Sequence, residues 1–114
     1  MNRCIFVGRL VADPRLKEVN NTHLVSFTLA IEEHRKDKDG TKKKRVDFLE
    51  FEAWDSGATT IHKYCKKGDF IAVEAIARQQ RWIVGEEKRQ KVNFRITNFK
   101  IFNNNREENL NEEA

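Results

Sequence analysis

The side chains in this sequence best suited to chemistry are rings and cations, and what they offer is contact rather than catalysis. Phe48 and Trp54 fall at even spacing in VDFLEFEAW, so an extended chain puts both on one face, together with Glu50 and Glu52. Arg78, Arg81 and Trp82 follow in a second extended stretch, and Lys42 to Arg45 form an unbroken basic run. That run suits either a solvated hairpin tip or a direct contact to a polyanion. His62 and Cys65 are three apart, as on one helical turn, but a metal site needs more ligands than these two and none is evident. No Ser/His/Asp set, no phosphate-cradling glycine loop and no paired-carboxylate arrangement stands out, so the reading is of a non-enzyme with no metal and no cofactor.

Charge points in the same direction. The chain carries 22 Lys and Arg against 18 Asp and Glu, a net +4. Residues 1–105 hold 21 basic and 14 acidic residues (+7), and residues 106–114 hold one Arg and four Glu (−3). A basic body attracts polyanions at long range, and nucleic acid is the commonest such partner. No stretch approaches the roughly 20 apolar residues of a membrane helix. Arg9, Asp13 and Arg15 interrupt the only candidate for a signal-peptide core, so a cytoplasmic protein is expected, with Cys4 and Cys65 as reduced thiols.

The elements that must position these residues are mainly strands. CIFVGRLV (Cys4 to Val11) is apolar and β-branched, with a possible bulge at Gly8 and a stop at Asp13-Pro14. After a polar connection from Lys17 to Thr22, Leu24 to Glu33 sets Val25, Phe27, Leu29 and Ile31 on one face. RKDKDGTKKKR, from Arg35 to Arg45, reads as an exposed mobile loop turning at Asp39-Gly40. Val46 to Trp54 is a third strand. Ser56 to Lys67 shifts to helical spacing through Ile61, Tyr64 and Cys65, with Asp55 or Ser56 as cap and Gly68 as stop. A fourth strand runs from Asp69 to a turn at Gly85, carrying Ile71, Val73, Ala75 and Ala77 on one face, and a fifth runs from Arg89 to Phe102. Residues 1–102 form one domain, and 103–114 are expected to be a short, acidic, disordered tail. The order strand, strand, strand, helix, strand, strand is that of an all-β, five-stranded oligonucleotide-binding (OB-fold) Greek-key barrel, with one short helix between strands 3 and 4.

Five segments also resemble, in order, the bacterial and phage single-stranded DNA-binding family. They are NRCIFVGRLVADPRL (2–16), VSFTLAI (25–31), DFLEFEAWD (47–55), YCKKGDFIAVEA (64–75) and Arg81-Trp82. The resemblance implies a barrel that assembles as a homo-oligomer, usually a tetramer, and wraps single-stranded DNA without sequence preference during replication, recombination or repair. It assigns base stacking to Phe48, Trp54 and Trp82, and it places Arg3, Arg9, Lys67, Arg78 and Arg81 at or beside basic positions. Lys88 and Arg89 extend the basic arm. At the end of strand two, where an aromatic is frequent, this chain offers His34 or Arg35, and Ala75 stands where a glycine is common. The tail lacks the Gly/Gln-rich linker and terminal Pro-Phe of cellular members, which argues against recruiting replication or recombination proteins and favours a phage, plasmid or other reduced variant. Burial of the rings in a core or subunit contact is the competing structural reading. An accessory barrel acting through protein contacts, a nucleic-acid enzyme, and a preference for RNA are the competing functions.

Overall fold

The computed structural model describes residues 1–102, so the expected tail at 103–114 lies outside the described residues. Its elements are β1 (Cys4–Leu10), β2 (Arg15–Val19), β3 (Thr22–Lys36), β4 (Lys42–Trp54), α1 (Asp55–Tyr64), β5 (Phe70–Val84) and β6 (Glu87–Phe102). The strands form one sheet in the order β1-β5-β6-β4-β3-β2, and β1 pairs with β3 to close it. The expected five-stranded barrel is present, with its first strand drawn in two pieces. Going back along β3, Ala30 and Leu29 pair with Arg9 and Leu10, and Ser26 to Thr22 then pair with Arg15 to Val19. Pro14 sits in the break, where a missing N–H does no harm.

β2 is therefore a correction to the polar connection read at this point. RLKEV has too few apolar residues to read as a strand, yet Asn20 (φ 53°) and Asn21 (φ 64°) make a two-residue turn with both angles positive, the type that closes a hairpin tightly. The basic loop shrinks for a related reason. His34, Arg35 and Lys36 pair with Lys44, Lys43 and Lys42, so strand continues almost to the tip. Only the turn around Gly40 (φ 86°) remains, closed by the Asp37 N–H donating to Thr41 O and the Thr41 N–H donating to Asp39 Oδ1.

The core fills the barrel from every strand. Phe51 lies at its centre, 5.9 Å from Phe27 in a stack, 5.7 Å from Phe6 edge-on and 5.4 Å from Phe94. Leu10, Val25, Leu29, Ile71 and Val73 complete it, as period-two alternation requires. Gly8 carries no bulge: it pairs in register with Ile71. A Cβ there would meet Ile31 Cδ1 at 2.6 Å and Ala30 O at 2.8 Å, so the glycine permits β1 to lie close over β3. The bulge falls instead between Glu74 and Ala75, whose partners are Asn98 and Ile96. The extra residue is Thr97, on the opposite strand, and its hydroxyl donates to Glu74 O at 3.1 Å, so Ala75 has no need to be glycine.

Helix α1 covers one end of the barrel with Ala58 and Ile61, and Cys65 is buried beside them. It ends at Tyr64, short of Lys67, because Cys65 is already extended (φ −108°, ψ 141°). Trp54 takes the N-cap position with no side-chain cap, and Asp55 turns the corner at φ 59°, a conformation Asp tolerates better than most residues. The next turn ties this end to β1: Gly68 N–H donates to Leu10 O at 2.8 Å and Lys67 N–H to Asp13 Oδ1 at 2.8 Å.

Candidate nucleic-acid interface

Strand register decides which side chains share a surface, because residues directly opposite in a ladder point the same way. On β4, Phe51 and Ala53 point inward, so Phe48, Glu50, Glu52 and Trp54 point outward. Their β3 partners are Ala30, Thr28, Ser26 and Leu24, and beyond these on β2 stand Arg15 and Lys17. On the other side Glu52 pairs with Arg95, which puts Arg95, Asn93, Lys91 and Arg89 of β6 on the same face. Across from them on β5 stand Ile76, Arg78, Gln80 and Trp82. One outer face thus runs from β2 to the tip of the β5–β6 arm and carries Phe48, Trp54 and Trp82 among eight cations or amides.

Three concavities lie on or beside it. The first, about 410 Å³, gathers Arg9, Phe48 and Lys67 with Glu32, Lys44 and Val46. Arg9, Ala30 and Phe48 stand abreast on three strands, and Phe48 is 65% exposed. Glu32 sits among the cations, 3.2 Å from Lys44 Nζ, 3.6 Å from His34 Nε2 and 3.9 Å from Arg9. The Lys44 hydrogen bond, helped by the charges of Lys44, Arg9 and His34, holds its carboxyl below the usual carboxylate range. The second, about 480 Å³, is lined by Arg15, Lys17, Glu50, Glu52, Lys91 and Asn93 among others. Lys91 Nζ reaches Glu50 at 3.0 Å, which offsets part of the carboxylate charge on this face. The third, about 690 Å³, lies at the arm tip between Arg81, Trp82, Ile83, Lys88, Arg89 and Gln90. Trp82 is 42% exposed there.

The remaining residues singled out in the sequence are more scattered. Trp54 is half-buried, with the Arg95 guanidinium 5.6 Å above its ring. Arg78 lies on the shared face opposite Asn93. Arg81 and Lys88 alternate with Trp82 and Arg89 and so project from the reverse side of the arm, where Gln79 Oε1 accepts from Arg81 at 2.6 and 2.9 Å. Arg89 is paired with Glu87 at 2.8 Å. His34 and Arg35 lie along the β3–β4 arm, Arg35 being 3.9 Å from Asp37. Arg3 is apart from all of these, ion-paired with Glu74 beside Ile5 and Lys100. Sequence reading missed Arg15, which follows the stop at Asp13-Pro14, and Lys17, which opens the segment read as a connection. It also missed Lys91 and Arg95, although their alternation with Val92, Phe94 and Ile96 was visible. Among the described residues, no group of three or more His, Cys, Asp or Glu could hold a metal ion, and no helix is long and apolar enough to cross a membrane.

The model of the single-strand binding protein family matches residues 1–109. The chain belongs to the single-strand binding protein family. Among the members of this family it resembles are single-stranded DNA-binding protein 1 of Streptococcus pyogenes, 29% identical over 71% of this chain and 61% of that protein. Single-stranded DNA-binding protein 3 of Listeria innocua is 30% identical over 78% of this chain and 55% of that protein. The chain thus spans a little over half the length of these curated relatives. Its fold is that of the Plasmodium falciparum SSB in complex with ssDNA (TM-score 0.80, 20% identity, covering 90% of this chain and 96% of that one). A deletion mutant of the Thermus aquaticus single-stranded DNA binding protein also matches at TM-score 0.80 and 19% identity, covering 90% of this chain and 51% of that one.

Proposed function

We propose that this family member binds and protects single-stranded DNA, largely without sequence preference, wherever cytoplasmic duplex is opened for replication, recombination or repair. It acts as a stoichiometric coat, not as an enzyme. The observation that carries this reading is the single outer face on which Phe48, Trp54 and Trp82 alternate with Arg78, Arg89, Lys91 and Arg95. Unpaired bases present flat faces that stack on rings whatever their identity, and each phosphate neutralised by Lys or Arg releases condensed counterions. In this arrangement Phe48 with Arg9 and Lys67 forms one stacking station and Trp82 with Arg89 another, and Trp54 lies between them under Arg95. Arg81 and Lys88 meet the strand's phosphates from the reverse side of the arm, and His34 and Arg35 from the β3–β4 arm.

Self-association belongs to the same proposal, with a tetramer as the expected assembly. Its support lies on the outer face of β1, β5 and the end of β6, where Ile5, Val7, Phe70 and Phe102 are exposed and Phe70 stands opposite Arg9. Contiguous apolar surface of this kind is a common mark of a protein contact, and Arg3 stands at its border. The experiment is a titration read by tryptophan fluorescence, with oligo-dT, the matching RNA and duplex as competitors at one stated salt. Quenching by oligo-dT with far weaker competition from duplex is expected. No quenching and no binding at low salt would refute the proposal.

A further inference from the structure

The groove of about 480 Å³ between β2, β3, β4 and β6 differs in chemistry from the other two, because Glu50, Glu52 and Asn93 set acceptors into its wall among the cations Arg15, Lys17 and Lys91. Asn93 lines it, is only 6% exposed, and has its Oδ1 buried without a hydrogen-bond partner. Glu52 also lines it, half-buried, and among the described residues makes neither ion pair nor hydrogen bond. Glu50 stands one step along the same strand face, already occupied by Lys91. Buried amides are nearly always paired, so an unpaired one lining the same groove as an unpaired carboxylate marks a place where a donor is missing.

Phosphate cannot be that donor, because it carries only acceptors and negative charge. The cations Arg15, Lys17 and Lys91, which border the same groove, are where phosphate belongs. A nucleobase can supply donors, and the bases differ in how many. Guanine presents N1–H and the 2-amino group side by side, the pair of donors that one carboxylate accepts together. Cytosine and adenine present an amino group each, whereas thymine presents a lone N–H flanked by two carbonyl oxygens that a carboxylate repels. The groove's volume lies within the roughly 300–1,000 Å³ of ordinary small-ligand pockets.

Resting on the proposed binding of single strands, we infer that this groove is a base-reading subsite: Glu52 and Asn93 accept hydrogen bonds from an amino-bearing base, guanine above all. The remaining stations bind sequence-blind, so the result is a preferred register on the strand and not a strict recognition sequence.

The test compares an all-thymine oligonucleotide with one carrying a single central guanine and one carrying inosine there, which lacks the 2-amino group. All are measured at one length and one salt concentration by tryptophan fluorescence. The guanine strand is expected to bind about fivefold or more tightly than the all-thymine strand, with inosine between them. Glu52→Ala and, separately, Asn93→Ala are expected to remove the preference while all-thymine binding persists. Equal affinity of the wild-type protein for the three strands would overturn the inference, as would a guanine preference that survives both substitutions. Neither result would touch the proposed function, whereas failure to bind the all-thymine strand would refute that proposal directly.

Discussion

The barrel and its two arms are built from the same strands yet obey different rules. Within the barrel β1, β4 and β5 bury alternate residues, and Phe51 touches three other rings. Along the arms, none of residues 78–92 and none of residues 32–36 or 38–45 is buried, and register is kept by backbone pairing, a tight turn and short ion pairs such as Lys43 to Asp37 at 2.9 Å. Stability is concentrated in the barrel, and part of the proposed binding surface, Trp82 and Arg89 above all, is carried on extensions that contribute little to it. Substitutions in the two regions should therefore separate cleanly into losses of folding and losses of binding.

The largest expected effect is in the barrel. Phe51→Ala removes the ring at the centre of the aromatic cluster and should cost roughly 3–5 kcal/mol of stability, read by urea denaturation. A cost below that of an exposed substitution would mean the barrel does not close around Phe51. Next comes Gly8→Ala, where one added carbon meets Ala30 O at 2.8 Å and Ile31 Cδ1 at 2.6 Å. Overpacking of this kind costs about 1–3 kcal/mol, and an unchanged urea midpoint would mean that β1 does not lie close over β3 at Gly8. The smallest effect is electrostatic and concerns an exposed cation at the end of the barrel, Lys67 in the turn after α1. If one protomer neutralises about six phosphates, the log–log salt slope of binding should be near −4, at roughly −0.7 per phosphate. Lys67→Gln should leave the urea midpoint unchanged and make that slope shallower by about 0.7. An unchanged slope would remove Lys67 from the strand's path.

The same division explains what the sequence disclosed. Barrel strands alternate apolar and polar residues, so Val25, Phe27 and Leu29, or Ile71, Val73 and Ala75, announced both their strands and their faces. The β3–β4 arm and β2 do not alternate. The two flanks of RKDKDGTKKKR, and RLKEV, are strand only because a partner lies alongside, and nothing local records that partner. Candidate residues were named by type, but grouping them needed register. Phe48, Arg9 and Lys67 come from β4, β1 and the turn after α1 and meet in one concavity, while the neighbours Arg81 and Trp82 point to opposite sides of one arm. The unpaired Asn93 amide had no signature at all, since burial without a partner is a property of the assembled groove.

The central claim is that the Trp82 ring on the exposed arm stacks bases without supporting the fold. Its most direct measurement is the affinity of Trp82→Ala for oligo-dT at fixed salt, alongside its urea midpoint. The expected result is a loss of about 1–3 kcal/mol in binding with the midpoint unmoved. Wild-type affinity, or a fall in stability to match the fall in binding, would contradict it.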